Sequence, residues 1–419
     1  MLKTILRKEH KNQWEKRVAL TPIAVSELTQ NGIAIDIEHS DYRIFPDSEY
    51  ISAGAGTAES PSEYELVLGI KEPPVSSIKR NQMHLCFSHT IKGQDYNMPL
   101  LQQFIDQSAT LIDYELMTDK DNIRTIAFGR YAGIAGAIDS LWLYGKKLTE
   151  AGRETALSKV TQSWQYKSQR NAQQQLEKIN LSDAEPTRVI ILGNGKVGLG
   201  AAEVCTWLGF KEITPEDIYQ GRADNSSSWF SVFDVKDMYC RLADGGFDKS
   251  EYIEQGKALY RSRFTDLLGK FDIVLQSSFW TEDYPRHLDR SDLLKHKENL
   301  PELLGDISCD IEGSFACTLK ATDIENPVFS YDPETEQITD GMEMGKISVM
   351  SIDNLPCELS QDASEHFSSV LAHHIPALMN IDFSESFGAL QLDSELKDAF
   401  IVYKGQLTPK FEYLKEFLG

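Results

Sequence analysis

Lys71, Glu72, His89 and Lys92 fall in two short strings, Gly-Ile-Lys-Glu-Pro-Pro (69–74) and Cys-Phe-Ser-His-Thr-Ile-Lys-Gly (86–93). Each string closes an apolar run, 66–70 and 84–87, that reads as a strand. Four ionisable side chains at two strand ends make a candidate proton-transfer site. Lys71 and His89 are the suitable types for moving a proton on or off a nitrogen, provided burial or a neighbour lowers the lysine pKa. Taken singly, a strand-end lysine is as readily a solvated cation, and a histidine as readily a structural one. Besides Lys92, three further positive charges bear on the site: Arg17, Arg124 and Arg130. Any of them could hold a carboxylate, the arginines by a two-pronged contact.

A second element supplies a partner for that chemistry. Val-Ile-Ile-Leu-Gly-Asn-Gly-Lys-Val-Gly (189–198) is an apolar strand running into a glycine turn and then a helix. Gly193 permits the tight turn, Gly195 lets the backbone approach a pyrophosphate, and Gly198 allows helix–strand packing. Lys196 and Val197 open the helix, whose N-terminus attracts phosphate. These residues form the expected dinucleotide site, with NAD or NADP as the cofactor. An acid should follow at the end of the next strand to meet the adenosine ribose. Residues 211–217 contain Pro215 and read poorly as a strand. Asp217 stands at about the right distance, while Arg222 and Arg241 are candidates to meet a 2′-phosphate, so the two cofactors stay open.

Strands and helices alternate from residue 3 to residue 115. Thr21-Pro22 reads as a helix start and Asn31-Gly32 as its stop. Strands are expected at 3–6, 33–37 and 110–112, and a helix at 95–107. Residues 128–147 read as one long helix rich in small residues, packed between two domains. Residues 160–187 read as a polar, Gln-rich helix and linker, and 220–230 as an exposed loop. Parallel strands follow at 271–275, 303–307 and 347–352, and the last 60 residues read as mostly helical. This pattern defines the expected fold class: α/β, two Rossmann-like domains with parallel sheets and the active site in the interdomain cleft. The substrate domain is placed at 1–136, completed by 354–419, and the dinucleotide domain at 137–353.

The chain has 419 residues, 41% hydrophobic and 25% charged, with a net charge of −22. Such an acidic balance argues against nucleic acid and for a protein that concentrates its cations locally if it binds acidic substrates. No run approaches a membrane span, and the N-terminus carries no secretory signal pattern. Cys86, Cys205, Cys240, Cys309, Cys317 and Cys357 lack metal spacing, so no metal site is expected, and they read as buried free thiols of a reducing compartment, cytoplasmic by default.

Several strings together resemble the saccharopine dehydrogenase family, in particular the lysine–ketoglutarate reductase half of the bifunctional lysine-degradation enzymes. They are Trp-Glu-Lys-Arg-Val-Ala-Leu-Thr-Pro (14–22), Arg-Ile-Phe-Pro-Asp (43–47), Leu-Gly-Ile-Lys-Glu-Pro-Pro (68–74), Phe-Ser-His-Thr-Ile-Lys-Gly-Gln (87–94), Leu-Ile-Asp-Tyr-Glu (111–115), Ala-Phe-Gly-Arg-Tyr-Ala-Gly-Ile-Ala-Gly (127–136), Cys-Asp-Ile-Glu-Gly-Ser (309–314) and Ser-Ile-Asp-Asn-Leu-Pro (351–356). The architecture resembles, more distantly, alanine dehydrogenase and the transhydrogenase nucleotide-binding subunit. The resemblance implies an NAD(P)-dependent oxidoreductase interconverting lysine plus 2-oxoglutarate with saccharopine. It implies Lys71 and His89 as the acid–base pair, with Glu72 and Glu115 tuning them. Arg17, Lys92 and Arg124 would face substrate carboxylates, and Asp353 would lie near the cofactor. It implies a monofunctional chain, without the glutamate-forming half, that acts as a monomer or homo-oligomer. Residues 155–187 and 209–235 match the family poorly. A related amino-acid or opine-type dehydrogenase, or a non-catalytic homologue, remains the alternative.

Overall fold

The computed structural model describes residues 1–181 and 184–418; two residues of the 160–187 linker, 182 and 183, lie outside the described residues. The chain divides into two compact units, Met1–Phe128 with Ser360–Gly419, and Gly129–Leu359.

The first unit is built on six parallel strands: β1 (Thr4–Leu6), β2 (Ile35–Glu38), β3 (Thr57–Ala58), β4 (Leu66–Leu68), β5 (Met83–Cys86) and β6 (Thr110–Asp113). Burial runs through β1, β4, β5 and β6 without alternation, as expected of strands covered on both faces. Helix α1 (Pro22–Gln30) starts where the sequence places it: the Ala24 N–H donates to Thr21 Oγ1, Pro22 needs no donor, and Asn31 with left-handed Gly32 ends the helix. Helices α2 (Asp47–Ser52) and α3 (Met98–Asp106) follow, the latter burying Met98, Leu100, Leu101 and Phe104.

The second unit opens with α4 (Gly129–Glu150) and α5 (Gln169–Leu176). Strand β7 (Arg188–Leu192) leads into α6 (Lys196–Trp207). The small residues of α4 serve a close approach to α6. A side chain on Gly133 would lie 1.9 Å from the Val197 carbonyl, and one on Gly200 would lie 2.3 Å from that of Arg130. Next come β8 (Lys211–Glu212), β9 (Trp229–Phe233), a small antiparallel pair β10 (Tyr239–Arg241) and β11 (Tyr260–Ser262), then β12 (Ile273–Gln276), β13 (Leu303–Asp306), β14 (Val328–Asp332), β15 (Gln337–Asp340) and β16 (Ile347–Met350). The large sheet runs β8-β9-β7-β12-β13-β16-β14-β15, parallel from β8 to β16.

Three features differ from expectation. The sheets are mixed rather than wholly parallel, because β14 and β15 form an antiparallel hairpin at one edge of the second sheet. The expected loop at 220–230 ends early: Trp229 is buried and begins β9, the strand beside β7. The C-terminal stretch is not helical throughout. After the helix Ser360–Leu371, the strand β17 (Phe400–Tyr403) extends the first sheet antiparallel to β6 and β18 (Gln406–Leu407) pairs antiparallel to β17, giving the order β18-β17-β6-β5-β4-β1-β2-β3. Phe367, Leu371 and Phe400 from this returning stretch share a core with Leu6, Ile37 and Leu68.

Candidate active site

The parallel strands β1, β4, β5 and β6 all end on the same edge of the first sheet. Just beyond their carboxyl ends stand Arg7 and Glu9, Lys71 and Glu72, Ser88 and His89, and Glu115. This edge is where ligands gather in open α/β sheets.

Lys71 is largely withdrawn from water, and that desolvation, with the positive charges of Arg17 and Lys11, lowers its pKa against the raising pull of Glu15 and Glu72. A lowered lysine pKa enlarges the neutral, basic fraction. Glu72 accepts a 2.5 Å hydrogen bond at Oε1 from the His89 ring at Nδ1. Burial alone would raise the Glu72 pKa; the His89 hydrogen bond and charge outweigh it and hold the group below the ordinary value. Glu72 is therefore a carboxylate that can only accept, so Nδ1 carries the proton and Nε2 is the nitrogen left to work on substrate.

His89 sits in the left-handed region, at φ 51°, a conformation that costs energy for a residue with a Cβ. The turn is held by a buried carboxylate, Asp113. It accepts from the Ser88 N–H at 2.9 Å and the Ser88 hydroxyl at 2.5 Å, and from the Glu115 N–H at 2.8 Å. Asn97 donates to the His89 carbonyl at 3.0 Å. One side chain thus ties the loop carrying His89 to the loop carrying Glu115.

Arg17 makes a two-pronged contact with Glu15, at 2.7 and 2.5 Å, with both side chains buried. Its guanidinium lies 4.3 Å over the Phe128 ring, which stacks on Phe367. Arg124 pairs with Glu115. Lys92 is exposed on the turn before Gly93. Arg130 belongs to α4 of the second unit, where Glu203 grips it at 2.7 and 2.5 Å and Gln169 accepts from it at 2.8 Å.

In the second unit the glycine turn has the shape its sequence requires. Gly193 has φ 114°, and a side chain there would meet Ser277 Oγ at 2.9 Å. On Gly198 it would come within 1.8 Å of the Gly193 carbonyl. On Gly195, at the helix N-cap, it would meet nothing within 4 Å. Open space before the N-terminus of a twelve-residue helix fits a pyrophosphate approaching the backbone. Lys196 is exposed and Val197 half-buried in the first turn. Asp353 is exposed after β16, its N–H donating to the Thr322 carbonyl at 3.4 Å.

The acid expected at Asp217 is not at a strand end. Asp217 lies in the short helix Pro215–Tyr219, where it caps Thr214 and pairs with Arg222 at 3.0 Å. The strand beside β7 is β9, in register Leu192↔Phe233, and the acid that closes it is Asp234. Arg241 lies on β10 and is engaged by Asp244 and Glu251. The run Trp-Phe-Ser-Val-Phe-Asp (229–234) was a legible strand-plus-acid signal, hidden by the extra edge strand and helix between α6 and β9. Arg7, Glu9, Glu15 and Asp113 were also missed, though the strand-end rule that found Lys71 applies equally to Arg7 and Glu9.

Two mixed, mostly parallel sheets, a glycine turn fitted to a pyrophosphate and a titratable cluster at strand ends define a two-unit α/β protein of the dinucleotide-binding type. Residues 5–135 match the N-terminal domain of alanine dehydrogenase/PNT, and residues 165–410 match the C-terminal domain. The chain belongs to the alanine dehydrogenase/PNT family. It is 32% identical to the mitochondrial alpha-aminoadipic semialdehyde synthase of Mus musculus, over 98% of this chain and 47% of that protein. It is 27% identical to the L-lysine-forming, NAD(+) saccharopine dehydrogenase of Yarrowia lipolytica, over 88% of this chain and 89% of that one. The chain spans about half the length of the synthases it matches. A solved L-alanine dehydrogenase superposes with a TM-score of 0.65 at 19% identity, covering 99% of this chain and 100% of that one, and shares the fold. Among the described residues no group of side chains could hold a metal ion, and no helix is long and apolar enough to cross a membrane.

Proposed function

We propose that the chain is a saccharopine dehydrogenase of the lysine–2-oxoglutarate reductase type, transferring hydride between NAD(H) and the C–N bond that joins lysine to 2-oxoglutarate. The observation that carries this reading is Lys71, desolvated and cation-flanked, beside a Glu72–His89 dyad at the carboxyl edge of one sheet. The names of the saccharopine dehydrogenases and of the semialdehyde synthases support the substrate class.

The proton balance follows from the groups present. Condensing the lysine ammonium with the oxo carbon moves two protons from nitrogen to the oxo oxygen, which leaves as water. Lys71, kept partly neutral, takes one from the ammonium and returns it to that oxygen; His89, its Nδ1–H fixed on Glu72, accepts the other at Nε2 from the nitrogen after it has bonded to carbon and passes it to the departing hydroxyl. Bound nicotinamide supplies or accepts the hydride at the carbon. The reverse reaction uses the same groups in the opposite sense. Gly193, Gly195 and Gly198 with the α6 N-terminus would hold the pyrophosphate, and Asp234 would accept from the adenosine ribose hydroxyls. An acid at that position repels a 2′-phosphate, and Arg222 and Arg241 are both engaged by acids, so NAD is the preferred cofactor. The six free cysteines, five of them buried, fit a reducing compartment such as the cytoplasm.

A second reading has its own observation. Arg17, Arg124 and Arg130 are each committed to a glutamate, which leaves less positive charge than three substrate carboxylates call for. A dehydrogenase of this family acting on another amine or oxo acid fits that balance. Steady-state turnover across a panel of amines and oxo acids separates the two: dominance of lysine with 2-oxoglutarate supports the first, and a preference for a monocarboxylic oxo acid such as pyruvate supports the second.

A further inference from the structure

The sheet ladder that holds the strand β4 stops just short of Lys71. Gly69 still donates to Leu85, and Phe87 still donates to the Ile70 carbonyl, at 3.1 and 2.8 Å. Beyond that point two buried side chains take over. Glu9 accepts from the consecutive N–H groups of Ile70 and Lys71, at 2.7 and 3.0 Å. Arg7 donates to the Lys71 carbonyl, and to that of Lys8 at 2.9 Å, and lies 3.3 Å from Glu9. The three contacts grip the Lys71 residue from both its N–H and its C=O side. Gly69 makes room for them: a Cβ there would fall 2.3 Å from Arg7 Nε.

We propose that Arg7 and Glu9 are positioning residues that clamp the backbone of Lys71 and so hold its side chain in the desolvated site beside Glu72. The inference rests on the reading of Lys71 as the proton-transfer group. Removing two charges from water is costly and seldom the most stable use of a core position; here that cost secures a defined strand exit. Each Glu9 oxygen accepts one of the two N–H groups. Its burial pushes its pKa up, and Arg7 and the two N–H groups pull against that. Proteins place catalytic side chains with a supporting shell of this kind, since a looser group loses much of its effect.

The test is the pH dependence of Lys71 acetylation by trace acetic anhydride, read peptide by peptide by mass spectrometry, which needs no turnover. Glu9→Gln leaves one acceptor facing two N–H donors. In that variant the Lys71 midpoint moves upward by about one pH unit as the side chain regains water, while the exposed Lys92 keeps its midpoint. In the same variant kcat falls roughly tenfold with a smaller change in KM, as expected when a group is misplaced rather than removed. If Glu9→Gln does not fold, Arg7→Lys, which keeps the charge and loses the fork, is read the same way. A folded variant of either kind with the wild-type Lys71 midpoint overturns the clamp. A shifted midpoint in a protein that turns over no amine and oxo acid supports the clamp and sinks only the functional reading.

Discussion

At the scale of single residues, the site is a set of charges whose meanings depend on their neighbours. Lys71 is suited to the proposed role of base because water is kept from it and two cations stand near. The His89 tautomer is fixed because Glu72 is held as a carboxylate, which leaves Nε2 to exchange protons in the proposed reaction. Lys71→Met is expected to fold normally, since it replaces a desolvated cation by an apolar chain of similar length, and to lower kcat by about 10²–10⁴-fold. Steady-state kinetics on a variant with unchanged circular dichroism checks this. The pH profile carries the sign. A base with a lowered pKa gains activity as pH rises through that lowered value, so the acidic limb of kcat/KM is assigned to Lys71 and should vanish from the residual activity of the variant. An acidic limb left unchanged would assign it to another group.

At the scale of elements, what decided legibility was whether a segment announces its own ends. Helix α1 was legible to the residue, because Thr21, Pro22, Asn31 and Gly32 each mark a boundary by local chemistry. The glycine turn was legible for the same reason: Gly193 and Gly198 answer steric demands within a few residues. The strand β9 was not, because its place beside β7 is set by pairing across the sheet, after an intervening edge strand and helix. With β9 went Asp234, the acid proposed to meet the ribose. The strand β17, and β18 paired to it, were missed likewise, since the partner that brings β17 into the sheet is the distant β6. Lys71, Glu72 and His89 were found because strand ends can be read locally. Their division into proton carriers and tuning group is what the family resemblance implies; the structure adds the 2.5 Å Glu72–His89 contact, on which the proposed roles draw. Asp234 yields a test at this scale. Asp234→Ser keeps a residue suited to the N-cap that Asp234 occupies and removes the charge that repels a 2′-phosphate. The ratio of kcat/KM for NADH over NADPH should fall at least about tenfold, equivalent to ~1.4 kcal/mol. An unchanged ratio would take cofactor choice away from this residue.

At the scale of the whole molecule, one chain leaves the first sheet, builds the second unit and returns to finish the first with β17 and β18. The second unit carries a buried acid pair near its last residues. Asp139 of α4 accepts from the Ser163 N–H at 2.7 Å, and Glu358 accepts from the Trp164 N–H at 3.2 Å. The pKa of Asp139 is raised by burial, and that of Glu358 by burial and by the neighbouring Asp139 charge. Raised carboxyl pKa values mean that the pair stabilises fully below the ordinary carboxyl range and that this contribution is lost as pH rises through the raised values. Asp139→Asn supplies the shared donor permanently. Its melting temperature should therefore fall less than that of the wild type as pH rises above the ordinary carboxyl range, sparing a buried-acceptor cost of about 1–3 kcal/mol; equal slopes in thermal melts would show that the pair does not control this dependence. The proposed reaction needs both a proton cluster and a dinucleotide turn, so its most direct measurement is NADH oxidation with lysine and 2-oxoglutarate together. The wild type and Lys71→Met are assayed in parallel, with NADPH as the comparison. The account predicts turnover that requires both substrates, runs better with NADH and collapses in the variant. NADH binding without oxidation under any of these conditions, or full activity in Lys71→Met, would contradict it.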